Sequence, residues 1–74
     1  MSRNEAPEVL KARKLAELRI DLARAIDEKQ PDLRIWRQGL IHGRLLELES
    51  AGVLSSEDSD VFSREVQASM DAAE

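Results

Sequence analysis

Between Pro31 and Gly52 the chain reads PDLRIWRQGLIHGRLLELESAG, and its apolar residues do not keep to one side. On a helical wheel Leu33, Ile35, Trp36, Leu40, Ile41, Leu45, Leu46 and Leu48 are spread around the axis rather than gathered in one stripe. A surface helix needs a single apolar face. A helix that is apolar on two faces needs cover on both. Gly39 and Gly43 lie one turn apart, between a row formed by Ile35 and Leu46 and a row formed by Trp36 and Leu40. They open a shallow groove where another backbone can come close. The stretch therefore predicts a central helix held by its own chain on one side and by a second copy on the other.

The length of the chain sharpens that expectation. Seventy-four residues allow one domain, and a single core of this size supplies only about 3–5 kcal/mol. Chains this short usually add a disulfide, a metal or a partner. There is no cysteine and one histidine, His42, which removes disulfides and thiolate metal sites and leaves zinc only a carboxylate-rich ligand set. No cofactor or metal is expected, and oligomerisation is the staple that remains. The start, MSRNEAPEV, has no apolar signal core, and no apolar run approaches membrane-spanning length. A cytoplasmic protein without a membrane partner is expected.

The net charge of −4 hides an asymmetry. Residues 1–44 carry ten of the eleven Lys and Arg against seven Asp and Glu, a net +3; residues 45–74 carry one against eight, a net −7. Either the basic half packs beside the acidic half, within one chain or across a dimer, or one half faces a charged partner.

Three helices are expected, over about 8–29, 32–50 and 56–72, behind a flexible arm at 1–7 that ends near Pro7. In the first, Leu15, Leu18, Leu22, Ala25 and Ile26 recur at three- and four-residue steps. Arg13, Lys14, Glu17, Asp21, Arg24 and Glu28 take the other side, where Arg13–Glu17, Asp21–Arg24 and Arg24–Glu28 can pair. Pro31 then disfavours helical geometry at Gln30 and cannot donate a helical hydrogen bond. The chain either turns back there as an antiparallel hairpin or runs on as one kinked helix over 8–51.

Gly52 suits the left-handed residue after a helix end, with Val53 as its apolar companion. Ser55 or Ser56 can cap the third helix, and Asp58 stands three residues after Ser55, as in a capping box. The third helix offers a narrow stripe of Phe62, Val66 and Met70, beside Ser59, Ser69 and Ala73, which can cover the hairpin's outer edge. The last four residues are expected to fray.

No catalytic constellation emerges. The chain has no cysteine nucleophile and no Gly-rich phosphate loop, and three short helices cannot enclose a useful pocket; an enzyme is not expected. Arg34, Arg37 and Arg44 cluster along the central helix. They can bridge to the acidic third helix or to Glu47 and Asp32, or stand as a basic ridge for an acidic partner or nucleic acid. Nucleic acid is the weaker case, because the chain is acidic and poor in aromatics. The fold class expected is all-α, a three-helix protein built on an antiparallel hairpin and assembled as a homodimer. Trp36, Gly39, Leu40, Gly43 and Leu46 are the candidate interface, and Arg34, Arg37 and Arg44 the candidate partner-binding residues. The function this implies is that of a non-enzymatic interaction module: a regulator, adaptor or inhibitor of another protein. A dimeric nucleic-acid-binding regulator is the alternative, and a structural subunit of a larger assembly the third reading.

Overall fold

The computed structural model describes residues 6–73. Three helices account for nearly all of them: α1 over Pro7–Asp27, α2 over Pro31–Ser50 and α3 over Ser56–Ala73. Both α1 and α2 begin on a proline. Its missing N–H is no loss in the first turn, and its fixed φ is already helical. Ahead of Pro31, Gln30 is forced extended, with φ −90° and ψ 121°. Glu28 is extended as well, so α1 ends two residues before the sequence pattern suggests. Most of the expected arm, residues 1–5, lies outside the described residues.

Ion pairs between the helices give their directions. On α2, Arg37 reaches Glu28 and Arg44 reaches Asp21, so position rises along one helix as it falls along the other. The chain takes the antiparallel hairpin rather than the kinked rod. Between α1 and α3 the order is the reverse: Lys11 pairs with Asp58 and Arg19 with Glu65, so these two helices run the same way. Basic residues of α1 thus meet acidic residues of α3 inside one chain, at two ion pairs.

The α2–α3 corner is built from local chemistry. Gly52 has φ +77°, the left-handed conformation that L side chains avoid. Its N–H bonds Glu49 O at 3.1 Å and the Val53 N–H bonds Leu48 O at 2.9 Å, the two bonds of a Schellman ending. Leu54, rather than Val53, drops into the core. Ser55 then caps α3 reciprocally. Its Oγ accepts from the Asp58 N–H, and its own N–H donates to Asp58 Oδ2, both at 3.0 Å.

The core is one cluster: Leu18, Leu22 and Ala25 from α1, Ile41 and Leu45 from α2, Leu54 from the corner, and Phe62, Val66 and Met70 from α3, with Leu15 and Leu48 packed against it. Burying each large apolar side chain stabilises the fold by about 1.5–3 kcal/mol. Three expectations need correction. Helix α3 is a core element and not an edge cover: it supplies Phe62, the largest fully buried side chain, and a fully buried Val66. Its end does not fray at Asp71, since the helix continues through Ala73; Glu74 lies outside the described residues. Ile26, placed by spacing on the inner face of α1, is exposed. It sits in the final turn of α1, beside the fully buried Ala25 that takes the inner position there.

Candidate functional site

With the core on one side of α2, the other side is open. Only Ile41 and Leu45 of α2 are buried. Ile35 is 68% exposed, Leu46 67%, Trp36 59%, Leu40 47% and Leu33 41%. The wheel explains why these fall together. Ile41 and Leu45 define the inward direction, and Gly39 and Gly43 point almost opposite to it. Ile35 and Leu46 border the glycines on the flank toward α3; Trp36, Leu40 and Leu33 border them on the flank toward α1. Large apolar residues clustered on one exposed face in this way call for an explanation, whereas scattered ones do not.

The two glycines form the floor of this face. A Cβ built on either meets no atom within 4 Å outside its own helix neighbourhood. Neither has positive φ. No turn and no close approach within this chain requires a glycine at these positions, yet each weakens the helix by about 1 kcal/mol relative to alanine. The groove over them, lined by Gly39, Leu40, Gly43, Arg44 and Glu47, has a volume of about 420 Å³.

The three arginines lean toward α1 and its C-terminal end. Arg34 donates through Nε and Nη2 to the backbone carbonyl of Glu28, at 3.1 and 2.9 Å. Arg37 Nε donates to the Glu28 carboxylate at 3.0 Å, and the Gln30 N–H adds a further bond at 3.3 Å. The hydrogen bond from Arg37, then that from Gln30, holds the Glu28 carboxyl below the usual glutamate range. Arg44 Nε lies 3.5 Å from Asp21 Oδ2. The expected bridges to α3, Glu47 and Asp32 are therefore replaced by bridges to α1. Asp21 and Glu28, assigned from spacing to Arg24 on their own helix, go to α2 instead. Arg24 and Glu47 have no ion pair among the described residues. Arg24 lines a shallow cleft with Asp21, Trp36, Arg37, Leu40 and Arg44.

Away from this face the charged groups tie helices together. Lys11 Nζ sits 2.9 Å from Asp58 Oδ1. That bond, followed by the bonds from Ser55, brings the Asp58 carboxyl down to about 2. Arg19 grips Glu65 through two nitrogens, at 3.1 and 3.3 Å, and lies 5.6 Å from the Phe62 ring centre, roofing the core. Between α2 and α3, His42 shares a notch with Leu46, Glu49, Asp60, Ser63 and the buried Ser59. Among the described residues no group of three or more His, Asp or Glu is arranged to hold a metal ion, and no helix is long and apolar enough to cross a membrane. Comparison of the chain with protein families, characterised proteins and solved structures finds no match.

Of the residues singled out by sequence, Trp36, Gly39, Leu40, Gly43 and Leu46 come together on one outward face. Arg34, Arg37 and Arg44 lie along its α1 border. Glu28 was missed as the hub of the hairpin. Its only signal is Pro31: a helix that restarts three residues later brings its first basic side chains back over the end of the previous one.

Proposed function

We propose that this chain is a small cytoplasmic protein-interaction module that buries the outward face of α2 against another polypeptide helix, serves as a regulator, adaptor or inhibitor, and carries out no chemistry of its own. The observation that supports it is the coincidence, on one helix face, of Ile35, Trp36, Leu40 and Leu46 exposed around two glycines that nothing in the chain fills. Helix-in-groove recognition uses such a face: apolar anchors at three- and four-residue steps, with small residues that let two backbones approach. Trp36 is the natural anchor, since large aromatic side chains dominate the energetics of interfaces.

Nucleic acid is less favoured as a partner. The guanidinium groups of Arg34 and Arg37 are committed to Glu28, and Arg44 faces Asp21, which leaves little of a ridge to neutralise phosphates. A mobility-shift titration at low salt is expected to give no complex.

The test is a photo-reactive residue in place of Leu40 in the intact chain, expressed in cells, with the same probe at exposed Glu57 as control. The position-40 probe is expected to give polypeptide adducts that the control does not. Equal yields from the two positions would remove the α2 face as an interaction surface.

A further inference from the structure

We propose that the outward face of α2 is closed by a second copy of this chain, its α2 antiparallel to the first, with a two-fold axis passing between Gly39 and Gly43. This rests on the reading of that face as an interaction surface and names its occupant.

The face is complementary to itself under that rotation. An antiparallel two-fold keeps each flank on its own side and exchanges the two ends about the centre. On the α3 flank, Ile35 lies about 9 Å before the midpoint of the glycines and Leu46 about 8 Å after it, at 1.5 Å of rise per residue. The rotation therefore lays Ile35 on the partner's Leu46, and Leu46 on the partner's Ile35. On the α1 flank Leu40 stands nearest the centre and meets its own symmetry mate. Gly39 faces the partner's Gly43, and the absence of Cβ atoms at both lets the two backbones approach closely. Ile35, Leu40 and Leu46 are thereby each covered by an apolar side chain of the partner.

Charge agrees with the same arrangement. Before the centre the α1 flank is basic and aromatic, with Arg24, Trp36 and Arg37. After the centre it carries Arg44, already paired with Asp21, and then Glu47, which has no ion pair among the described residues, as Arg24 has none. The rotation brings the partner's Glu47 beside Trp36, toward Arg24 and Arg37. A parallel pair would instead set the two Glu47 ends together and align the two helix dipoles, both unfavourable.

The area is sufficient. The exposed parts of Leu33, Ile35, Trp36, Leu40 and Leu46 amount to on the order of 600 Å². With the groove floor and the stems of the flanking charged residues, one copy approaches the roughly 800 Å² per partner of a specific interface. For a chain whose own core supplies only about 3–5 kcal/mol, such a contact is also the missing source of stability.

The experiment is the solution mass of the full chain against concentration, for wild type and for Gly39→Leu/Gly43→Leu, with oxidative cross-linking of single-cysteine variants in a chain that has no cysteine of its own. Wild type is expected to reach twice 8.3 kDa. In the double leucine variant the new Cβ atoms meet nothing within 4 Å in the single chain, and the side chains leave the helix on the side away from the core. It is expected to keep its helix content while its dimerisation weakens on the order of tenfold or more. A mixture of Ile35→Cys and Leu46→Cys chains is expected to cross-link, and neither variant alone. A wild-type monomer at hundreds of micromolar overturns the inference, as does a double variant that dimerises as tightly as wild type. Cross-linking of Ile35→Cys with itself overturns the antiparallel arrangement. If the purified chain is monomeric while the position-40 probe still captures a different protein, the second copy is wrong and the interaction face stands. If that probe captures nothing, both fail.

Discussion

Replacing Gly39 and Gly43 with alanine is expected to stabilise the isolated chain, although both glycines sit at the centre of its most conspicuous surface. Each is a mid-helix residue of α2 with ordinary helical backbone. A Cβ at either meets nothing within 4 Å, so no steric term opposes the change. What remains is the difference in helix propensity, about 1 kcal/mol per glycine, most of it the larger backbone entropy glycine loses on folding. Both sites open onto empty space, so the two propensity terms sum to about 2 kcal/mol. For a domain of this size 1 kcal/mol moves the thermal midpoint by about 4–8 °C, so the double variant should melt on the order of 10 °C higher. The assay is thermal unfolding followed by circular dichroism in dilute solution, repeated over a concentration series because association raises apparent stability by mass action. Unchanged or lowered stability in the dilute limit would refute the reasoning. It would mean that a glycine at 39 or 43 serves the fold of the single chain.

Gly52→Ala should have the opposite sign, losing about 1–2 kcal/mol: its surroundings are equally empty, but φ +77° penalises any L side chain. Denaturant titration compares the two substitutions directly, and a neutral Gly52→Ala would mean that the Schellman corner contributes little. Phe62→Ala should remove about 3–5 kcal/mol, the whole of what a core this size supplies; a cooperative melt surviving in that variant would contradict the placement of α3 at the core. Glu28 and Asp58 are both held below their ordinary values, so their contributions are complete above 4.5 and 3.8 respectively and are lost as the pH falls through the lowered values, about 2 for Asp58. Urea midpoints measured on acidification should therefore fall through that window. Asp58→Asn should flatten the fall below 3.8, and an unaltered acid limb would show that the Lys11 and Ser55 contacts do not persist in solution.

Local patterns carried the elements, and long-range contacts carried the partners. The helix starts at Pro7 and Pro31, the Gly52 ending and the Ser55–Asp58 box all rest on residues within a few positions of one another, so they were legible in order along the chain. Charge pairing was not. Spacing along α1 matched Asp21 and Glu28 with Arg24, and the fold gave them to Arg44 and Arg37. An i,i+4 pair is worth only a few tenths of a kcal/mol, so a cation arriving from a facing helix readily displaces it. The candidate face was legible for a different reason: α2 has apolar residues on more sides than two short neighbours can cover, and that excess is a property of the helical wheel alone.

By itself, then, the amino-acid sequence determined that the chain makes three helices, where each begins and ends to within a residue or two, and that α2 has apolar surface to spare. Only the tertiary structure decided which of its faces is spare. Ile41 and Leu45 turn inward because Phe62 and Val66 of α3 come down beside Leu18 and Leu22 of α1, which leaves Trp36, Leu40 and Leu46 outside. The physical reason is that a helix is symmetric enough to bury any of its sides, and the choice among them is made by the shape and apolar area of the neighbours rather than by the helix.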